Sequence, residues 1–108
     1  MKYRTDPKTG QELSILGFGC MRLPRSRGSI DMQKTESIIL KAIEQSVNYF
    51  DTAYIYGGSE EALGNVLKKN GLRHKVYIAT KLPIFSVRSP QDFDKFLISS
   101  SRDCKLIR

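Results

Sequence analysis

The stretch from Asn48 to Gly64, NYFDTAYIYGGSEEALG, constrains the fold more than any other part of this 108-residue chain. Tyr49 and Phe50 form a short apolar run that delivers a carboxylate, Asp51. A tight polar segment follows, carrying Tyr56 and the pair Gly57–Gly58. Ser59 has the hydroxyl of an N-cap. Glu60 and Glu61 fall in the first turn of the helix it opens, where the dipole favours negative charge. The order is strand, acid, phenol, glycine turn, helix. It puts two ionisable groups at the carboxyl end of a strand, where α/β folds build their sites.

The flanking sequence extends this pattern. Tyr3–Thr5 and Gln11–Ser14 predict a small hairpin, with Pro7 and Gly10 supplying the turn dihedrals. Ile15–Gly19 predicts a short buried strand ending in glycine, and Leu23–Ile30, with Pro24, Gly28 and two arginines, predicts a loop. Asp31 is the N-cap candidate for an amphipathic helix whose apolar positions are Ile38, Ile39, Ala42, Ile43 and Val47. The helix opened by Ser59 carries Ala62, Leu63, Val66 and Leu67 on one face. Lys68 and Lys69 sit in its last turn, with Gly71 just beyond. Gly64 weakens that helix, so close packing is the expected reason for it. Val76–Thr80 reads as a third strand leading to Lys81 and closed by Pro83. Ser89–Pro90 then opens a third helix with Phe93, Phe96 and Leu97 at helical spacing. A hairpin followed by β-α-β-α-β-α makes a parallel sheet, wound in one sense or closed as a barrel.

Bulk properties exclude several classes. Apolar content of 40% and charged content of 27% are those of an ordinary globular protein, of one domain or part of one. No apolar run approaches the roughly 18 residues of a membrane helix. The start, MKYRTDPKTG, lacks the apolar core of a signal peptide. Cys20 and Cys104 lie far apart with no CxxC, which suits reduced thiols in the cytoplasm. A net charge of +7 invites a nucleic-acid reading, but the 18 basic residues are scattered. No nucleic-acid or membrane partner is expected. Local groups such as Arg22, Arg25 and Arg27 suit a dinucleotide phosphate or an acidic substrate equally well. His74 reads as a solvated surface residue, and no metal site is expected.

Asp51 and Lys81 end adjacent strands, and neighbouring strands lie about 5 Å apart, so the two side chains can meet. A phenol, with a pKa near 10, is a poor proton donor to a carbonyl at neutral pH. A nearby ammonium favours the phenolate and makes a tyrosine such as Tyr56 a better general acid. Asp51 would hold that ammonium charged and in place. The alternatives are a plain ion pair for Asp51 and Lys81 and a packing role for Tyr56.

At these residues the chain resembles the aldo-keto reductase family. FDTAYIYGGSEEALG is similar to the family signature, whose core is D-T-A-x-x-Y-G before an acidic helix start. Leu16–Met21 resembles the first barrel strand and its loop, the N-terminal hairpin resembles the plug of the barrel bottom, and Ala79-Thr80-Lys81 resembles the strand ending in the catalytic lysine. The N-terminus is similar to that of bacterial members, some of which carry a C-terminal iron–sulfur domain. The resemblance implies an α/β fold, the N-terminal fragment (hairpin plus about three βα units) of a (β/α)8 TIM barrel that uses NADPH to reduce aldehydes or ketones. It implies catalytic roles for Asp51, Tyr56 and Lys81, with Tyr56 protonating the carbonyl oxygen, and cofactor contacts at Gly19, Cys20, Met21 and Asp51. Tyr54 is the weaker candidate acid, because the motif spacing selects Tyr56.

The chain also departs from the family. A complete barrel needs about 250 residues, and the histidine that the family places after its fourth strand is absent. From residue 98 to residue 108 the text loses helical periodicity, with three serines in a row and no fourth strand. Ser101–Leu106 can be encoded as TCA AGA GAC TGC AAA CTG. Read from the third nucleotide, the same letters give K-R-L-Q-T, which resembles the missing family segment. The tail is therefore expected to be a frameshifted reading of a reductase gene. The expected consequences are an inactive chain, no tight cofactor binding and self-association through open strand edges. The other readings are a non-catalytic dinucleotide-binding or subunit-complementing fragment and, last, a basic nucleic-acid-interacting protein.

Overall fold

A computed structural model describes residues 1–104; the last four residues of the tail lie outside the described residues. Strands β1 (Tyr3–Thr5) and β2 (Glu12–Ser14) pair antiparallel as the expected hairpin. Asp6 organises its turn: the carboxylate accepts from the Lys8 N–H and the Thr9 hydroxyl, and Gly10 takes φ +74°. Asn48 ties the hairpin to the body by accepting from the Ser14 N–H at 2.7 Å and donating to the Glu12 carbonyl at 2.9 Å.

Three parallel strands form the central sheet in the order β3 (Phe18–Gly19), β6 (Tyr49–Asp51), β7 (Tyr77–Ala79). Gly19 stands opposite Asp51, and Asp51 opposite Ala79. The first of these strands is shorter than its sequence suggests. The Ile15 N–H donates to the Lys2 carbonyl and the Leu16 carbonyl accepts from the Ser14 hydroxyl. With those groups committed to the hairpin, residues 15–17 bend instead of pairing, and Ile15 and Leu16 are exposed rather than buried.

The expected loop before the first long helix is instead a second hairpin, β4 (Arg25–Ser26) with β5 (Ser29–Ile30). Its two turn residues, Arg27 (φ +53°) and Gly28 (φ +83°), both adopt left-handed backbone, as a two-residue primed turn requires. Helix α1 (Met32–Glu44) starts at Asp31, whose carboxylate accepts from the Lys34 N–H at 3.0 Å. Helix α2 (Ser59–Lys69) follows β6. Helix α3 (Pro90–Asp103) starts at Ser89, whose hydroxyl accepts from the Asp92 N–H. The helix continues through the three serines, where the sequence reading expected periodicity to fail, and Ser100 is buried.

The core lies between one face of the sheet and the helices. Phe50 and Ile39 are fully buried in it, with Leu63, Val66 and Leu67 arriving from α2. Phe18 packs on Phe50 with ring centres 5.3 Å apart. Gly64 serves the close packing expected of it: a methyl group there would stand 1.9 Å from the Asp103 carbonyl oxygen of α3. Side chains alternate along a strand, so Asp51 and Ala79 face away from the core. Among the described residues the outer edges of β3 and β7 have no strand partner.

Candidate active site

The parallel register does most of the work of building the site. Beyond Asp51 and Ala79 the ladder continues: the Thr52 N–H donates to the Ala79 carbonyl at 2.8 Å and the Tyr54 N–H to the Lys81 carbonyl at 3.0 Å. Lys81 is thereby held two residues past the end of β7, on the same face as Asp51. Its ammonium bonds the Asp51 carboxylate and donates to the Thr52 carbonyl at 3.0 Å. The same ammonium lies 5.2 Å from the centre of the Tyr56 ring. The Asp51 hydrogen bond is the main cause that raises the Lys81 pKa above its ordinary 10.5, with the charge of Asp51 and the Tyr56 phenol adding to it. Both charged side chains remain about half exposed, so solvent screens the pair and its value lies in placement more than in stability.

Tyr56 reaches this position through a compact turn. Its N–H donates to the Ala53 carbonyl and its own carbonyl accepts from the Ser59 N–H at 2.7 Å. Arg25 braces the turn from outside by donating to the Gly57 carbonyl at 2.6 Å. Gly58 takes φ +83° and is itself the N-cap of α2. Ser59, expected as that cap, is the first helical residue. Its hydroxyl donates instead to the Cys20 carbonyl at 2.7 Å and ties the loop after β3 to α2. Tyr54, the weaker acid candidate, packs edge-on against Phe96 with ring centres 5.0 Å apart.

Gly19 and Met21 are exposed at the end of β3, and a methyl group on Gly19 would meet nothing within 4 Å. There is open space beside Asp51 for a flat ligand. Cys20 is fully buried, its N–H donates to the Asp51 carbonyl, and burial pushes its thiol up to about 12. What Cys20 offers a ligand is therefore the course of its backbone. Gly19, Met21 and Asp51 border this open space. His74 is exposed in a single helical turn at Arg73–Lys75, away from these groups. No cluster of His, Cys, Asp and Glu among the described residues has the makings of a metal site. No described helix is long and apolar enough to cross a membrane.

Glu60 lies in the first turn of α2 as expected, but sequence reasoning missed its burial: the residue is only 4% exposed. Its spacing carried the signal: Glu60, Leu63, Gly64 and Leu67 lie on one stripe of α2, and the last three face the core or α3.

A parallel sheet presenting an acid, a lysine and a phenol beside one another at its carboxyl edge has the arrangement of the opening part of a (β/α)8 barrel. The sequence profile of the Aldo/keto reductase family matches residues 15–106, and the chain belongs to that family. It is 35% identical over 97 residues to the aldo-keto reductase str7 of Strobilurus tenacellus, covering 82% of this chain and 29% of the relative. The holo form of aldo-keto reductase AKR11C1 from Bacillus halodurans superimposes with a TM-score of 0.77 at 29% identity, over 97% of this chain and 37% of that one. The aldo-keto reductase AKR2E5, solved in complex with NADPH, shares the fold at 24% identity and a TM-score of 0.71, over 96% of this chain and 32% of its own. The chain thus spans between 29% and 37% of the length of these relatives.

Proposed function

We propose that Asp51, Tyr56 and Lys81 are the proton-delivering part of an NADPH-dependent site that reduces an aldehyde or ketone. The observation that carries this reading is the single ammonium of Lys81, bonded to Asp51 and set 5.2 Å from the Tyr56 ring centre. Gly19, Met21 and Asp51 would border the nicotinamide. When bound, NADPH supplies hydride to the carbonyl carbon. Tyr56 gives its phenolic proton to the carbonyl oxygen, and Lys81 stabilises the negative charge left on the phenolate. Asp51 keeps Lys81 charged and fixed, so no reorganisation is needed as that charge develops.

On this reading the 108 residues do not turn over substrate and hold the cofactor weakly. The support is their span, 29% of the str7 relative, together with the open outer edges of β3 and β7. Unpaired edges template association with other strands. Those edges also favour a second reading, a subunit that completes its barrel with a separate chain. Both cysteines are free and buried, which suits a cytoplasmic setting. The tail is proposed to arise from a shifted reading frame, and coding DNA with no fourth-strand sequence in another frame would rule that out. Titrating the chain with NADPH, with and without the C-terminal part of a relative's barrel, tests the reading. It requires carbonyl-dependent NADPH consumption only when the complement is present; consumption by the chain alone, or none with a folded complement, overturns it.

A further inference from the structure

Glu60 takes no part in the chemistry above, yet it is a carboxylate taken almost wholly out of water. Its two oxygens collect donors from two other elements. The Thr80 hydroxyl, just past β7, donates to Oε2 at 2.7 Å. From α3, the Ser100 hydroxyl donates to Oε1 at 3.0 Å and the Cys104 thiol to Oε2 at 3.5 Å. A buried carboxylate persists where donors of this kind replace its hydration, and the first turn of α2 adds a favourable dipole. The close approach at Gly64 brings the last turn of α3 within reach of this carboxylate.

Thr80 and Lys81 are consecutive, and residues of an extended strand point to opposite faces. Thr80 reaches outward to α2, while Lys81 reaches inward to Asp51 and the Thr52 carbonyl. We propose that Glu60 is a positioning residue: it clasps the end of β7 to α2 and α3 through Thr80, Ser100 and Cys104, and so fixes where Lys81 presents its ammonium. The proposal rests on the reading of Lys81 as the partner of Tyr56. The clasp also explains why a hydroxyl precedes the lysine. A valine there would fill the same space but leave the buried carboxylate short of a donor.

Competitive labelling of the 108-residue chain tests the clasp, with acetic anhydride for amines, iodoacetamide for thiols, and peptide mass spectrometry to read each site. In the wild type, Lys81 should label several-fold more slowly than Lys34 and Lys41, and Cys104 far more slowly than a free thiol. Thr80→Val should raise the Lys81 rate several-fold while Lys34, Lys41 and Cys20 keep theirs, and Thr80→Ser should restore it. Glu60→Gln should raise Lys81 and Cys104 together. The proposal is overturned if Thr80→Val leaves Lys81 unchanged, if it accelerates every site alike, if serine does not rescue, or if wild-type Cys104 reacts as a free thiol. Carbonyl reduction is not measured in this experiment. Failure of the reductase reading would appear separately, in the completed barrel.

Discussion

Gly64 on α2 and Asp103 on α3 approach so closely that a single methyl group on the glycine would overlap the aspartate's carbonyl oxygen, at 1.9 Å. Backbone, unlike the end of a flexible side chain, cannot swing aside. Gly64→Ala therefore has to separate the two helices, although alanine is the better helix former. We expect a net loss of about 1–3 kcal/mol, the usual range for overpacking, read as a lower midpoint in urea denaturation. An unchanged or raised midpoint would mean that α3 does not pack on α2 in this way.

Asp51→Asn removes the carboxylate that raises the Lys81 pKa. The side-chain titration of Lys81, followed by NMR, should move down towards its ordinary 10.5, while exposed lysines such as Lys34 stay where they are. No movement at Lys81 would mean that the two groups are not paired in solution.

Alkaline pH should destabilise the fold. Burial pushes both Cys20 and Cys104 from 9.0 up to about 12. Below pH 9 both thiols are neutral whether folded or unfolded. Between pH 9 and about 12 the unfolded thiols ionise and the buried ones do not, so stability falls as pH rises, by at most about 1.4 kcal/mol per pH unit for each thiol. Lys81, raised above 10.5, acts in the same direction: the stability it contributes is complete below 10.5 and is lost as pH rises through its folded value. The thermal midpoint should therefore decline from pH 9 upward, and Cys104→Ala should make the decline shallower. An equal decline in that variant would remove Cys104 from the account.

Asp51 and Lys81 were legible in the sequence because strand alternation and parallel register leave few places for them. Tyr56 needed the family motif to separate it from Tyr54. The β4–β5 hairpin was hidden because its turn puts Arg27, not asparagine or glycine, at positive φ. Ser59 had the chemistry of a cap, but its hydroxyl is taken by the Cys20 carbonyl, a contact 39 positions away that no local pattern reveals. Periodicity failed in the tail because Ser100 is buried by hydrogen bonding rather than by apolar contact. Glu60 could have been found, since its spacing put it on the buried stripe and only its charge argued otherwise.

The most direct test of the central claim is turnover by Tyr56→Phe in a completed barrel, built from residues 1–104 of this chain, which keep α3 whole, and the remaining elements of a solved relative. The phenylalanine keeps the ring beside Lys81 and removes only the transferable proton. If Tyr56 is the general acid, kcat for carbonyl reduction should fall by about 10²–10⁴-fold, with NADPH affinity within a few-fold of the parent. Reduction at the parental rate by the Tyr56→Phe barrel would contradict the account.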